Sequence, residues 1–192
     1  MGSYEWRFDS GRVCLDLVAT GQPVSREQLR GAERLVEWLY GAGLVPRGTP
    51  TAPVDARWVL RFTELRSCVD QLVRAQLDGR AAASTDAALA HVNALAAGAP
   101  PGPRAVRGDG GELVKELGAR PDCDGLLAAV ARDAVELLTD PVARARLRQC
   151  EGDNCGRVYL DTSRGRRRRW CSSEVCGNRE RVARHRRRTA AL

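Results

Sequence analysis

The sequence predicts an α+β fold: a helix-rich N-terminal domain that contains short β-hairpins, followed by a small cysteine-rich module. Three observations predict it. Apolar residues recur at helical spacing in several segments, alternating apolar and polar residues flank glycine-containing turns at two places, and four cysteines fall within 27 residues near the C-terminus. The 192 residues are enough for one or two domains, and we place the boundary between residues 1–140 and 141–192.

The first predicted elements are a hairpin and a helix. Residues 4–20 are predicted to form a β-hairpin, because apolar and polar residues alternate on both sides of a turn at Gly11. The capping-box spacing of Ser25 and Gln28 predicts a helix that runs to about Gly41. Together these segments supply the first apolar surfaces of the N-terminal domain.

Four further elements complete the predicted N-terminal domain. Apolar residues at helical spacing predict helices over 54–77, 85–97 and 124–139. A glycine-rich turn predicts a short β-hairpin over 104–117. Beyond these four, at the boundary with the cysteine-rich module, an aspartate followed by a proline starts a helix over 140–148, because aspartate caps a helix and proline suits its first position.

Charge is distributed unevenly along the chain. The net charge is +7, but residues 142–192 carry fifteen arginines and five acidic residues, a net charge of +10, so the remainder is mildly acidic. A basic segment of this kind is typical of proteins that bind a polyanion. No apolar run is long enough to span a membrane and the N-terminus does not resemble a secretory signal, so we expect a cytoplasmic protein with no membrane partner.

The cysteines of the basic segment have the spacing C-x4-C-x15-C-x4-C. Two close pairs separated by a hairpin-sized loop suit a tetrahedral zinc ion, and four thiolates leave no open coordination position. The sequence therefore predicts one structural Zn²⁺, and an iron–sulfur cluster is the chemical rival. The predicted ligands are Cys150, Cys155, Cys171 and Cys176.

The predicted form of the module is treble-clef-like. We expect 157–161 and 167–171 to pair as strands between the two cysteine pairs, and a helix to run from Ser173 to about Arg188. Val175 and Val182 are expected to face that hairpin.

The remaining cysteines and the histidines show no ligand spacing. Cys14 and Cys68 are predicted to be core residues and Cys123 a loop thiol, while His91 and His185 are ordinary surface or helix residues. The sequence contains no nucleophile–base motif, no glycine-rich phosphate loop and no paired carboxylates in a motif context. We therefore do not expect an enzyme.

The residues around the cysteines resemble a known family. The segment 170–179, which ends in Cys-Gly-Asn-Arg, resembles the CGNR zinc finger, and segments 8–11 and 14–20 resemble the start of the ABATE domain that commonly precedes it. The resemblance implies a bacterial, stress-linked transcription regulator with a DNA-binding finger. It implies no known ligand for the N-terminal domain.

The expected partner is double-stranded DNA. Arginines on the turn and the C-terminal helix would contact phosphates, whereas Asn178 and Arg179 either read base edges or stabilise the zinc knuckle. The predicted nucleic-acid-binding residues are Arg164, Arg166, Arg167, Arg168, Arg169, Asn178, Arg179, Arg181, Arg184, Arg186, Arg187 and Arg188.

Two alternatives stay open at this stage. Basic zinc modules also serve RNA-binding and ribosome-associated proteins, and zinc thiolates can act as a redox switch that releases the metal on oxidation. The N-terminal domain is expected either to sense a signal, such as a small-molecule ligand, or to mediate assembly of a homodimer.

Overall fold

A computed structural model describes residues 6–21, 27–79 and 85–189. It confirms the α+β prediction, since helices dominate and the strands form two small antiparallel hairpins. The helices are α1 Val13–Ala19, α2 Ala32–Gly41, α3 Ala56–Asp78, α4 Asp86–Ala96, α5 Cys123–Thr139, α6 Pro141–Arg144 and α7 Asn178–Thr189, and the strands are β1 Pro103–Arg107, β2 Leu113–Leu117, β3 Leu147–Gln149 and β4 Val158–Leu160.

The two longest helices, α3 and α5, begin at aspartate caps. The Asp55 side chain accepts hydrogen bonds from the backbone N–H groups of Arg57 and Trp58, and Asp122 accepts one from Gly125. These caps satisfy N–H groups that have no partner within the helix. Helix α3 then ends at Gly79, which has φ +63°, a conformation that glycine adopts without strain.

Helix α1 corrects the prediction of an N-terminal hairpin. Residues 13–19 are helical, and all side chains from Cys14 to Ala19 are buried. They pack against α3, α5 and β4. Because even Asp16 is buried, the segment has no solvent-facing polar side, so its short, mainly apolar sequence cannot distinguish a strand from a helix. Tyr4, part of the predicted hairpin, lies outside the described residues.

The start of α2 also differs from the prediction. The helix begins at Ala32, and residues 27–30 are not helical. The proposed cap, Ser25, lies outside the described residues. The predicted hairpin at 104–117 is confirmed, with β1 and β2 antiparallel and Ala105 opposite Lys115.

The chain next forms a strand pair that the sequence did not predict. Helix α6 ends at Arg144 and not near residue 148, and β3 then pairs with β4, with Leu147 opposite Leu160. The predicted pairing of 157–161 with 167–171 is therefore wrong. Leu147, Val158 and Leu160 join the main hydrophobic core. A strand made of the arginine-rich segment 166–169 would bury far less apolar surface, which favours β3 as the partner of β4.

The same core therefore continues from the N-terminal helices into the cysteine module. Segment 6–12 strengthens this junction, because the carbonyl oxygen of Ser10 accepts a hydrogen bond from the N–H of Leu160. Arg157, which is almost fully buried, lies 3.3 Å from Asp9 and donates to the carbonyl oxygen of Arg7. Within the described residues, no helix is long and apolar enough to cross a membrane.

Candidate metal centre

The first cysteine pair lies in the loop between β3 and β4. The N–H of Cys150 donates to the carbonyl oxygen of Arg157, and the N–H of Cys155 donates to that of Gly152, which closes a tight turn. A Cβ atom at Gly152 would lie 3.2 Å from the Cβ of Cys176, so the two knuckles approach closely at this glycine.

The second pair comes from the start of the C-terminal helix. Cys171 precedes a single π-helical turn, Ser173–Gly177, that contains Cys176 and continues directly into α7. The Ser172 hydroxyl accepts a hydrogen bond from the N–H of Val175 and so caps this turn. The π-helical turn and α7 together run from Ser173 to Thr189, close to the helix predicted from Ser173 to about Arg188.

The four sulfur atoms form one compact buried cluster. The Sγ atoms of Cys150, Cys155, Cys171 and Cys176 all lie within 4.8 Å of one another, and each residue is at most 5% exposed. Three Sγ–Sγ distances are 3.5, 3.6 and 3.7 Å. Four ligands about 2.3 Å from a tetrahedral zinc ion are about 3.8 Å apart, so the donor set fits zinc.

Local hydrogen bonds favour the thiolate form of Cys150, whereas the hydrogen bond to Cys150 raises the pKa of Cys155 and burial raises the pKa of Cys176. The side chains of Cys155 and Cys171 hydrogen-bond to the Cys150 sulfur and lower the pKa of that thiol. The N–H groups of Cys171 and Gly152 reinforce this, at 3.2 and 3.4 Å from the same sulfur. Thiolate is the form that zinc binds. Four thiolates close the coordination sphere, so the metal is structural and has no open position for a substrate.

A distant arginine adds positive charge to the cluster. Four thiolates and one Zn²⁺ carry a net charge of −2, and Nη2 of Arg7 lies 3.7 Å from Sγ of Cys171. Arg7 is 164 residues away in sequence, so no local spacing pattern pointed to it. Arg179, which the sequence suggested as a base-reading or knuckle-stabilising residue, is exposed and has no side-chain partner among the described residues.

Arg168, one of the predicted nucleic-acid-binding residues, packs into the module itself. Its guanidinium lies 4.5 Å from the ring centroid of Tyr159 and donates to the carbonyl oxygens of Trp170 and Cys171. The fully buried Tyr159 donates its hydroxyl to the carbonyl oxygen of Arg168 in return. These contacts hold the backbone next to Cys171. They give the Arg168 side chain a structural role that does not require a nucleic acid.

Three other predicted arginines have protein partners as well. Arg169 pairs with Glu151 at 2.6 Å, and Arg187 lies 3.8 Å from Glu180. Arg181 donates to backbone carbonyl oxygens of the π-helical turn. All three remain exposed.

The remaining predicted residues are exposed and have no side-chain partner in the described part of the chain. Val175 and Val182 are also exposed, at 40% and 43%, so the expectation that they face a hairpin is wrong. The unpartnered polar residues are Arg164, Arg166 and Arg167 on the turn and Asn178, Arg179, Arg184, Arg186 and Arg188 on α7.

The other cysteines lie outside this cluster. Cys14 and Cys123 are buried and Cys68 is half-buried. Cys123, predicted as a loop thiol, is the first residue of α5. The cysteines outside 150–176 thus have no part in the metal centre.

Geometry and donor chemistry define a zinc-binding protein with a closed four-cysteine site. Residues 146–189 match the model of the CGNR zinc finger, and residues 11–141 match the ABATE family, described as "Putative stress-induced transcription regulator". The second match covers more than half of the chain, so this protein belongs to the ABATE family and carries a CGNR zinc finger. Neither family is an enzyme family. No curated protein matches the chain.

Proposed function

We propose that this protein is a cytoplasmic DNA-binding transcription regulator. In this proposal the finger, residues 141–192, contacts double-stranded DNA, and residues 1–140 sense a signal or mediate assembly of a homodimer. The observation that carries the proposal is a set of unpartnered arginines on two elements that the cysteine cluster joins.

The two arginine-bearing elements have fixed positions relative to each other. The turn carrying Arg164, Arg166 and Arg167 leads into Cys171, and α7 continues directly from Cys176. An exposed run of adjacent like charges gains nothing from the fold, whereas DNA phosphates would neutralise it. Rigid placement of both elements by the metal lowers the entropy lost on binding.

One face of α7 has the composition of a base-reading surface. Asn178, Val182 and Arg186 are spaced four residues apart and therefore share a face, with Arg179 beside them. Arginine can donate two hydrogen bonds to guanine, asparagine can pair with adenine, and an exposed valine can contact a thymine methyl group. This mixture suits the major groove better than it suits open solvent.

The test is the salt dependence of binding of the zinc-loaded full chain to a random-sequence DNA duplex, measured by fluorescence anisotropy. Each phosphate contact contributes about 0.9 to the slope of log K against log salt concentration. The double variant Arg166→Gln with Arg167→Gln is therefore expected to reduce the magnitude of this slope by about 1.8. If the two proteins bind equally at 1 M salt, this weakens binding about 60-fold at 0.1 M salt. Selection from a random duplex pool then reports base preference.

The matched control removes two exposed positive charges from the N-terminal part, by Arg57→Gln with Lys115→Gln. It should leave the slope unchanged. If both double variants lose the same amount of salt slope, the effect depends only on overall charge and not on a finger surface. Tighter binding to single-stranded or structured RNA than to any DNA duplex would contradict the proposal.

A further inference from the structure

The side chains of residues 6–9 contact, in turn, a surface cleft and the region of the metal centre. Trp6 and Phe8 line a cleft of about 600 Å³, whereas Arg7 approaches the sulfur of Cys171 and Asp9 pairs with Arg157. Neighbouring side chains of this short segment therefore contact both places. Nothing in the zinc-binding or DNA-binding roles uses this cleft.

Three aromatic side chains form much of the cleft wall. Trp6, Phe8 and Tyr40 line it, and Gly41 forms part of the wall. A Cβ atom at Gly41 would lie 2.5 Å from ring atoms of Phe8, so only glycine allows the ring to lie so close to α2. Aromatic walls of this kind favour a flat apolar ligand, which they can stack against.

Two charged side chains, Glu37 and Arg47, line the cleft, and they differ in whether they are already paired. Glu37 accepts hydrogen bonds from the indole N–H of Trp6 and from Arg34, whose guanidinium lies 4.2 Å from the Trp6 ring centroid. Arg47 also lines the cleft, is exposed, and has no side-chain partner among the described residues. The cleft therefore offers an unpaired guanidinium, the group best suited to bind a carboxylate.

We propose that this cleft binds a planar aromatic carboxylate and that residues 6–9 transmit its occupancy to the zinc finger. The ring lies against Trp6 and Phe8, and the carboxylate pairs with Arg47. This inference rests on the sensing role proposed above and does not require contact with DNA.

The transmission follows from contacts on the other side of the segment. Arg7 pairs with Asp9 at 2.5 Å, and its carbonyl oxygen accepts a hydrogen bond from Arg157, which adjoins the first cysteine knuckle. A ligand that orders Trp6 and Phe8 also holds Arg7 beside Cys171, where its charge stabilises the zinc–thiolate cluster. Coupling of two sites is reciprocal, so bound zinc should also strengthen ligand binding.

The test uses naphthoate as the anionic probe and naphthamide as its neutral analogue, titrated calorimetrically into the zinc-loaded full chain. We expect naphthoate to bind more tightly, and Arg47→Gln to weaken it at least about tenfold while leaving naphthamide unchanged. Arg57→Gln is the matched control, because Arg57 is exposed, lies outside the cleft and has no side-chain partner in the part of the chain that the structure describes. Arg47→Glu should reverse the preference toward naphthylmethylammonium.

The second measurement is the rate at which zinc passes to a chromogenic chelator. Saturating naphthoate should slow this transfer at least about threefold in the native protein and not in Arg7→Gln, which should still bind the probe. No naphthoate binding, equal binding of naphthoate and naphthamide, or an unchanged or faster zinc transfer would overturn the inference. Both measurements omit DNA, so they can be interpreted even if the protein does not bind DNA. Conversely, a lack of naphthoate binding does not affect the conclusion from the salt slope of DNA binding.

Discussion

Removal of zinc should destabilise the whole protein and not only its C-terminal finger. The reason lies in the β3–β4 hairpin, whose loop carries Cys150 and Cys155. Its strands place Leu147, Val158 and Leu160 in the same core as the N-terminal helices. A hairpin of three-residue strands is unstable in isolation, so we expect it to leave the core when the metal is removed.

The expected loss can be estimated from that burial. The three side chains are 2%, 1% and 8% exposed. Full burial of one such side chain contributes about 1.5–3 kcal/mol, so exposure of all three lowers the free energy of unfolding by about 5–9 kcal/mol. That is comparable to the entire stability of an ordinary domain, about 5–15 kcal/mol.

The assay is urea unfolding followed by circular dichroism at 222 nm, a signal dominated by the helices of the N-terminal part. The zinc-loaded protein is compared with chelator-treated protein and with the latter after zinc is restored. Cys171→Ser should reproduce the effect of the chelator, whereas Cys68→Ser, a half-buried cysteine outside the cluster, should not.

The result that would refute this reasoning is an unchanged unfolding midpoint of the helical signal after complete zinc removal. The N-terminal helices would then be stable without the hairpin, and the shared core would carry little energy. A shift that zinc does not reverse would instead indicate damage to the protein by the chelator.

Three further predictions concern single residues. Burial raises the pKa of Asp16 to about 6 from 3.8, so the folded protein holds this proton more tightly than the unfolded chain and stability falls by about 3 kcal/mol as pH rises through this interval. Asp16→Asn should flatten that decline in urea-unfolding curves between pH 4 and 7.5; an unaltered pH profile would contradict the assignment. Gly11→Ala should lower stability by about 1–3 kcal/mol in the same assay, because Gly11 has φ +88° and its new Cβ would lie 3.2 Å from Cβ of Leu160. Arg168→Gln should destabilise the zinc-loaded protein by about 1–3 kcal/mol and Arg167→Gln should not, since of the two only Arg168 donates to partly buried carbonyl oxygens; equal effects would argue against a packing role.

Sequence reasoning was most successful where chemistry is local. The four ligand cysteines follow from spacing alone, because zinc demands thiolates from two tight turns. Helices α3 and α5 were predicted to within about two residues, since long amphipathic patterns specify them. The positive charge of residues 142–192 could likewise be counted directly.

The sequence was least informative where burial decides structure. Residues 13–19 are apolar except for Asp16, and their position between α3 and α5, which buries nearly all of them, makes them a helix. The partner of β4 was likewise misassigned, because a three-residue strand carries too little pattern to name its neighbour. The sequence also could not show which arginines are free to bind a ligand. Arg167 and Arg168 are adjacent and of the same type, yet only Arg168 packs against Tyr159.

The sequence by itself determined the metal and its ligands, the family, and a basic surface near the C-terminus, since each depends on residue type and spacing along the chain. Only the tertiary structure decided that the finger shares a core with the N-terminal helices, and that Arg7 reaches a cysteine 164 residues away. Such contacts join segments far apart in the chain, and their energy depends on mutual burial that no local pattern encodes.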